Sequence, residues 1–256
     1  MNHVTVITGA SSGIGTELAR VFARNNHRLL LTGRNTVALE ALANELTGAK
    51  PIVLVADLTE PGAAQRLVDT LRQNDVSAGI LVNNAGYGLA GRFADLEGAS
   101  QLNMLDLNMR VLTELTYLLL PDLVAAKGRL LNVASTAAYF PGPGMAAYYA
   151  SKAYVLSLSE ALHQELKQQV GVTVLCPGTT ATVFFDRAGI NPKLIKALRP
   201  MSPLQAQSPA CRRVGCHSSL SVHVFFATFA NRPQKIDSLP GSRHDSRLFD
   251  PGTMFA

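Results

Sequence analysis

Val4-Thr5-Val6-Ile7-Thr8 is a run of mostly β-branched residues that ends on Gly9-Ala10-Ser11-Ser12-Gly13-Ile14-Gly15. Branching at Cβ favours extended backbone, so the first run reads as a strand. The glycines then allow a tight turn and a close approach by a neighbour. Leu18, Val21 and Phe22 follow at helical spacing and give the next element an apolar face. Strand, glycine turn and helix in direct succession constrain the chain more than any other feature. They leave the free N–H groups and positive end of the helix pointing into the turn, where a phosphate is favoured. Taken alone, the motif also reads as an ordinary glycine-rich turn.

The same alternation continues. Leu29 to Thr32 reads as a strand, 36–46 as a helix, Ile52 to Ala56 as a strand and 63–73 as a helix. Ile80 to Val82 reads as a strand that runs into Asn83-Asn84-Ala85-Gly86, and Leu96 to Val124 as one long helical stretch. A strand over Arg129 to Ala134, a helix over Ala147 to Gln169 and a strand over Val172 to Cys176 complete the series. Strands separated by helices at this spacing predict an α/β fold: a Rossmann-like, doubly wound parallel sheet in a single domain. Ligands of such sheets lie at the carboxyl ends of the strands.

Those strand ends carry the candidate residues. The second strand ends at Gly33-Arg34-Asn35, where an acid would favour the ribose hydroxyl of NAD and an Arg the 2′-phosphate of NADP. Arg34 is present without an acid, which points to NADP; a solvated Arg is the alternative. Asp57 ends the third strand and either contacts adenine or caps the next helix. Asn108 stands among apolar neighbours in the long helical stretch, as a surface position, a local backbone bond or a bulge. Ser135 follows the fifth strand, either facing the ligand crevice or serving as a turn hydroxyl.

Pro141-Gly142-Pro143-Gly144 cannot continue a helix, and the helix after it carries Tyr148 and Lys152. Residues four apart share a helix face, so the two side chains project together. A phenol titrates near ~10 and is a poor base at neutral pH. A neighbouring ammonium favours the phenolate and suits the Tyr to proton exchange with a substrate oxygen. The bland alternative is an interfacial Tyr beside a solvated Lys.

Composition excludes several classes. With 47% hydrophobic and 16% charged residues among 256, the chain is a well-buried globular protein rather than a disordered one. No apolar run is long enough to span a bilayer. Met1-Asn2-His3 leads straight into a strand with no signal-like segment, which favours a cytoplasmic location. Cys176, Cys211 and Cys216 do not make a disulfide framework. The net charge of +5 comes with no basic stripe interleaved with aromatics, so nucleic acid is not expected. No His/Cys cluster at metal-ligand spacing precedes the tail, so no metal is expected.

In this order and spacing, Thr8 to Gly15, Asp57, Asn83 to Gly86, Asn108, Ser135, Tyr148 with Lys152, and Pro177-Gly178 followed by Thr182 resemble the short-chain dehydrogenase/reductase family, in its NADP-dependent bacterial reductase branch. The resemblance covers residues 2–202. It implies that Tyr148 is the general acid in carbonyl reduction and the base in alcohol oxidation, and that Lys152 lowers its pKa and holds the nicotinamide ribose. Ser135 would bond the substrate oxygen, and Asn108 would hold a water in a proton relay through Lys152. Gly9, Ser11, Ser12, Gly13, Ile14 and Gly15 would bind the pyrophosphate and ribose. Asn84, Ala85, Gly86, Pro177, Gly178 and Thr182 would complete the cofactor site with Arg34 and Asp57. The cofactor would be NADP (NADPH), and the partner a second copy in a dimer or tetramer, with the two long helices forming the contact. Tyr87, Phe93, Tyr139, Phe140 and Met145 would line a pocket for a small apolar carbonyl or alcohol.

The pattern stops after Met201-Ser202-Pro203. Residues 203–256 are an atypical tail: they hold two of the three cysteines, three of the six histidines and no Glu, and their apolar run is Val222 to Phe229. A reading-frame shift near residues 204 to 215 is one account. Gly215-Cys216-His217-Ser218 written GGT TGT CAT TCC reads Val-Val-Ile-Pro one base later. Divergence, or a tail that orders on a partner, are the others. A sheet without its last strand would leave an unpaired edge.

Overall fold

The computed structural model describes residues 2–178 and the strand 221–224. Seven strands form one parallel sheet in the order β3-β2-β1-β4-β5-β6-β7. They are β1 (Asn2–Thr8), β2 (Leu29–Gly33), β3 (Ile52–Val55), β4 (Val76–Asn83), β5 (Arg129–Val133), β6 (Gly171–Cys176) and β7 (Ser221–Val224). The order reverses direction between β1 and β4, and the crevice at that switch point receives the carboxyl ends of both.

Among the described residues, six α-helices connect β1 to β6: α1 (Gly13–Arg24), α2 (Thr36–Glu45), α3 (Ala63–Gln73), α4 (Gly98–Leu105), α5 (Leu112–Ala125) and α6 (Ala146–Glu165). The sheet is apolar on both faces, as a sheet covered on both sides must be. On one face Val4, Val6, Leu30, Leu81 and Leu130 pack with Leu67 and Leu71 of α3 and Leu115, Leu119 and Leu123 of α5. On the other, Ile7, Leu29, Leu31 and Val82 pack with Leu18 and Phe22 of α1 and Leu39 and Leu42 of α2. The alternation of neighbouring strand residues between the two faces is the period of two that a β-strand imposes.

Two expectations change. The stretch 96–124 is three elements, because Asp106–Val111 winds as a π-helix between α4 and α5. Wider winding places Asn108 inward, at 1% exposure, so the bulge reading of that residue holds and the surface reading does not. The β6 edge is not bare: β7 pairs with it in parallel, Thr173 opposite Ser221 through Cys176 opposite Val224. The remaining expectations for the tail, and for Thr182, lie outside the described residues.

Candidate active site

The first wall of the crevice is the glycine turn. Gly9 takes φ +65°, a left-handed conformation that side chains resist. Gly15 has no room for one: an added Cβ would lie 2.3 Å from the Gly9 carbonyl oxygen and 2.5 Å from Asn84 Nδ2. Asn84 Nδ2 donates to the carbonyls of Thr8 (2.9 Å) and Gly9 (3.2 Å). Thr8 Oγ1 accepts from the backbone N–H groups of Asn84 (3.0 Å) and Ala85 (2.9 Å). The ends of β1 and β4 are thereby locked together. Asn84 lines the crevice, and its amide holds the turn in shape. Thr8 is the partner that sequence reasoning did not assign; its signal was a hydroxyl residue as the last residue of an apolar strand.

A cleft of ≈ 280 Å³ runs along the strand ends. Gly9, Ser11, Ser12, Gly13, Ile14, Arg34, Asp57, Asn84, Ala85, Gly86, Ser135, Tyr148, Lys152, Pro177 and Gly178 all line it. Gly15 and Asn108 do not; one closes the turn from behind, and the other is buried beneath Gly86 and Tyr87. At the β2–β3 end, the Arg34 guanidinium stands 3.5 Å from Asp57 Oδ2. Asp57 Oδ1 accepts from the Thr59 N–H (2.9 Å) and hydroxyl (2.7 Å). Partial burial pushes the Asp57 pKa up, but the Thr59 bonds and Arg34 outweigh it and hold the carboxyl below its usual value. Asp57 therefore caps its own turn rather than α3, which begins after Gly62.

Tyr148 and Lys152 sit one turn apart at the start of α6, 8% and 6% exposed. The Lys152 ammonium donates to the Val133 carbonyl at the end of β5 (2.9 Å) and lies 5.8 Å from the centre of the Tyr148 ring. Burial pushes Tyr148 up to about 12, with a hydrogen bond to Ser135 pulling the other way. Burial lowers Lys152 to about 8. Burial outweighs the Ser135 bond and carries the phenol upward, and the neighbouring Tyr149 adds to the rise. Ser135 Oγ also accepts from the Ala137 N–H (3.1 Å), so the hydroxyl both starts a 3₁₀ turn, Thr136–Tyr139, and faces Tyr148.

Asn108 supports this set from behind. Its Nδ2 donates to the Tyr87 carbonyl (2.9 Å) and to Ser151 Oγ (3.1 Å), and its Oδ1 accepts from the Tyr87 N–H (3.1 Å). A Cβ on Gly86 would meet Asn108 Oδ1 at 2.9 Å and Lys152 Nζ at 3.6 Å, so both groups border the same space above Gly86. Of the five residues expected to line a substrate pocket, Tyr87 and Met145 line the cleft, joined by Asn103, Thr136 and Tyr149. Phe93 and Phe140 are 68% and 50% exposed, and the Tyr139 hydroxyl donates to Cys176 Sγ (3.6 Å).

Sheet order, glycine turn and crevice together define a dinucleotide-binding α/β protein. The chain belongs to the short-chain dehydrogenase family, whose profile matches residues 3–191. It is an oxidoreductase of that family, and the family works with a nicotinamide cofactor. It is 36% identical to sulfoacetaldehyde reductase 2 of Chromohalobacter salexigens over 217 residues, 82% of this chain and 86% of the relative. Among solved structures, it resembles a short-chain dehydrogenase from Sphingobium yanoikuyae in complex with NADPH, at TM-score 0.78 and 33% identity, covering 86% of this chain and 87% of the other. It also resembles 3-ketoacyl-(acyl-carrier-protein) reductase from Brucella melitensis in complex with NADH, at TM-score 0.75 and 26% identity, covering 86% and 96%. Among the described residues, no helix is long and apolar enough to cross a membrane, and no group of His, Cys, Asp and Glu is placed to hold a metal ion.

Proposed function

We propose that the chain reduces a small aldehyde or ketone with NADPH, Tyr148 supplying the proton. The observation that carries this reading is the placement of Tyr148, Ser135 and Lys152 around one buried point at the end of β5. The crevice suits the cofactor. Gly9 and Gly13 are left-handed at the turn, and Ser12 makes no side-chain cap at the start of α1, so the first N–H groups of the helix face the cleft without a side-chain acceptor. Ser11, Arg34 and Asn35 would hold the adenosine end, and Lys152, Asn84 to Gly86, Pro177, Gly178 and Thr182 the nicotinamide end. The bound cofactor supplies a hydride to the carbonyl carbon.

The protein's own contribution is to the carbonyl oxygen. Ser135 donates a hydrogen bond to it, and Tyr148 gives up its proton as charge develops there. A phenol kept protonated by burial is suited to act as the acid in this direction. The charged Lys152 then stabilises the phenolate left behind, and Asn108 holds the backbone of Tyr87 and the α6 residue Ser151 in register. The relative named for reducing sulfoacetaldehyde supports an aldehyde as substrate.

An NAD-linked dehydrogenase is the second reading, favoured by the Arg34–Asp57 ion pair, which partly satisfies the cation that would meet a 2′-phosphate. Fluorescence titration with NADPH and NADH separates the two. Tighter NADPH binding, reversed by Arg34→Asp, is expected; equal binding that ignores this substitution would favour the second. Tyr148→Phe should lower turnover by about a hundredfold or more while leaving NADPH affinity intact. Unchanged turnover would remove Tyr148 from the chemistry.

A further inference from the structure

The π-helix touches, from behind, two segments that line opposite ends of the cleft. Asn108 points inward, to Tyr87 and Ser151. Two residues on, Arg110 points outward and donates from each of its three nitrogens. Nε donates to Asp106 (2.9 Å), Nη1 to Glu114 (2.8 Å) and Nη2 to the backbone carbonyl of Thr59 (3.3 Å). The first two bonds are ordinary pairings along a helix. The third is different, because Thr59 belongs to the loop after β3, fifty-one residues away in sequence.

That loop is built around Asp57. Asp57 Oδ1 accepts from both the Thr59 N–H and its hydroxyl, while Asp57 Oδ2 faces Arg34. Asp57, Leu58 and Thr59 all line the cleft at the β2–β3 end, where a dinucleotide fold meets the adenosine. The Asp57 bonds close the turn from within, and the Arg110 bond ties its outer carbonyl to the element that also carries Asn108.

We propose that Arg110 is a positioning residue for the adenosine end of the cofactor, acting through the Thr59 carbonyl and not by touching the cofactor. This rests on the reading that the cleft binds a nicotinamide dinucleotide. Arg suits the task because its planar fork makes three bonds in three directions at fixed angles; the single ammonium of a Lys cannot reach Asp106, Glu114 and Thr59 together. Anchoring the turn before binding lowers the ordering cost of binding, so its loss weakens affinity without removing a contact.

The test compares Arg110→Lys and Arg110→Met with wild type, using three titrated probes: NADPH, 2′,5′-ADP and reduced nicotinamide mononucleotide. Loss of one such bond should raise the dissociation constants of NADPH and 2′,5′-ADP by about three- to tenfold. The mononucleotide, which lacks the adenosine half, should bind both variants as it binds wild type. Arg110→Lys keeps the charge and either helical pairing, so it guards against a variant that merely misfolds. A double variant, Asp106→Asn with Glu114→Gln, removes the helical ion pairs and leaves the Thr59 bond; it should bind 2′,5′-ADP normally. Variants that lower Tm yet bind 2′,5′-ADP like wild type would overturn the proposal, as would an equal loss in the double variant. If wild type itself binds none of NADPH, NADH and 2′,5′-ADP, the cofactor reading falls and this one with it; if it binds NADH alone, NADH and 5′-AMP replace the phosphorylated probes and the same losses are expected.

Discussion

Asn108 and Ser151 meet in the interior: Asn108 Nδ2 donates to Ser151 Oγ at 3.1 Å, and Ser151 Oγ donates in turn to the Tyr148 carbonyl at 2.7 Å. A π-helical residue is thus joined by two bonds to the backbone of Tyr148, the proposed acid. The same Asn108 amide holds both backbone groups of Tyr87. Asn108→Leu strips partners from all of these at once at a buried position. It should destabilise the fold by about 2–4 kcal/mol and lower turnover as well. Asn108→Asp keeps the bond from the Tyr87 N–H and should lie between. Thermal unfolding beside steady-state kinetics reads both, and a variant with normal Tm and turnover would show the network to be dispensable.

Two glycines separate close approach from mere sequence pattern. At Gly15 a Cβ would lie 2.3 Å from a backbone carbonyl oxygen, which cannot swing aside. Gly15→Ala should cost several kcal/mol, by analogy with overpacking that costs about 1–3 kcal/mol where side chains can still give. At Gly98, in the first turn of α4, a Cβ would meet nothing within 4 Å. Gly98→Ala should stabilise by about 0.4–1 kcal/mol, chiefly by restricting the unfolded chain. Denaturant midpoints of the two variants should move in opposite directions.

Thr32 offers a stabilising change within the sheet. Its side-chain hydroxyl is buried on β2, and among the described residues it has no hydrogen-bond partner. A buried hydroxyl without a partner costs more than the methyl that would replace it. Thr32→Val should raise stability by about 1 kcal/mol. A fall in the unfolding midpoint would mean that this hydroxyl is satisfied.

The alternation of strands and helices was legible because both faces of a parallel sheet must be apolar, and runs such as Leu29 to Leu31 have no other use. The strand-end residues were legible because crevice chemistry concentrates there. What escaped was geometry that no local pattern encodes. The stretch 96–124 reads as one helix because a π-turn keeps helical composition and differs only in winding. Thr8 reads as a strand terminus until β4 lies beside it and supplies the N–H groups of Asn84 and Ala85. The direction of the Tyr148 shift depends on how deeply the ring is buried, which its four-residue spacing from Lys152 does not reveal. Phe93 and Phe140 lie in segments that the family resemblance gives to the pocket, and how far each side chain turns out to solvent is not written in its segment.

Lys152 links the chemistry to pH. Burial lowers it to about 8, while in the unfolded chain it titrates near its ordinary value of 10.5. Between about pH 8 and 10 the unfolded chain holds the extra proton, so unfolding takes up protons and stability rises with pH across that window. Tyr148, raised to about 12 from 10.0, acts in the opposite sense only above pH 10, where the folded state retains the proton and stability falls. In Lys152→Met the rise between pH 8 and 10 should vanish while the decline above pH 10 remains. Activity should follow the same proton with the opposite sign. Carbonyl reduction needs the ammonium to stabilise the Tyr148 phenolate, so kcat/KM should fall as pH climbs through about 8 even as the protein grows more stable. Chemical denaturation and initial rates measured over the same pH series read the two trends together. If activity held level up to pH 10 while stability rose, the titrating ammonium would be stabilising nothing in the reaction, and Lys152 would retain only its bond to the Val133 carbonyl.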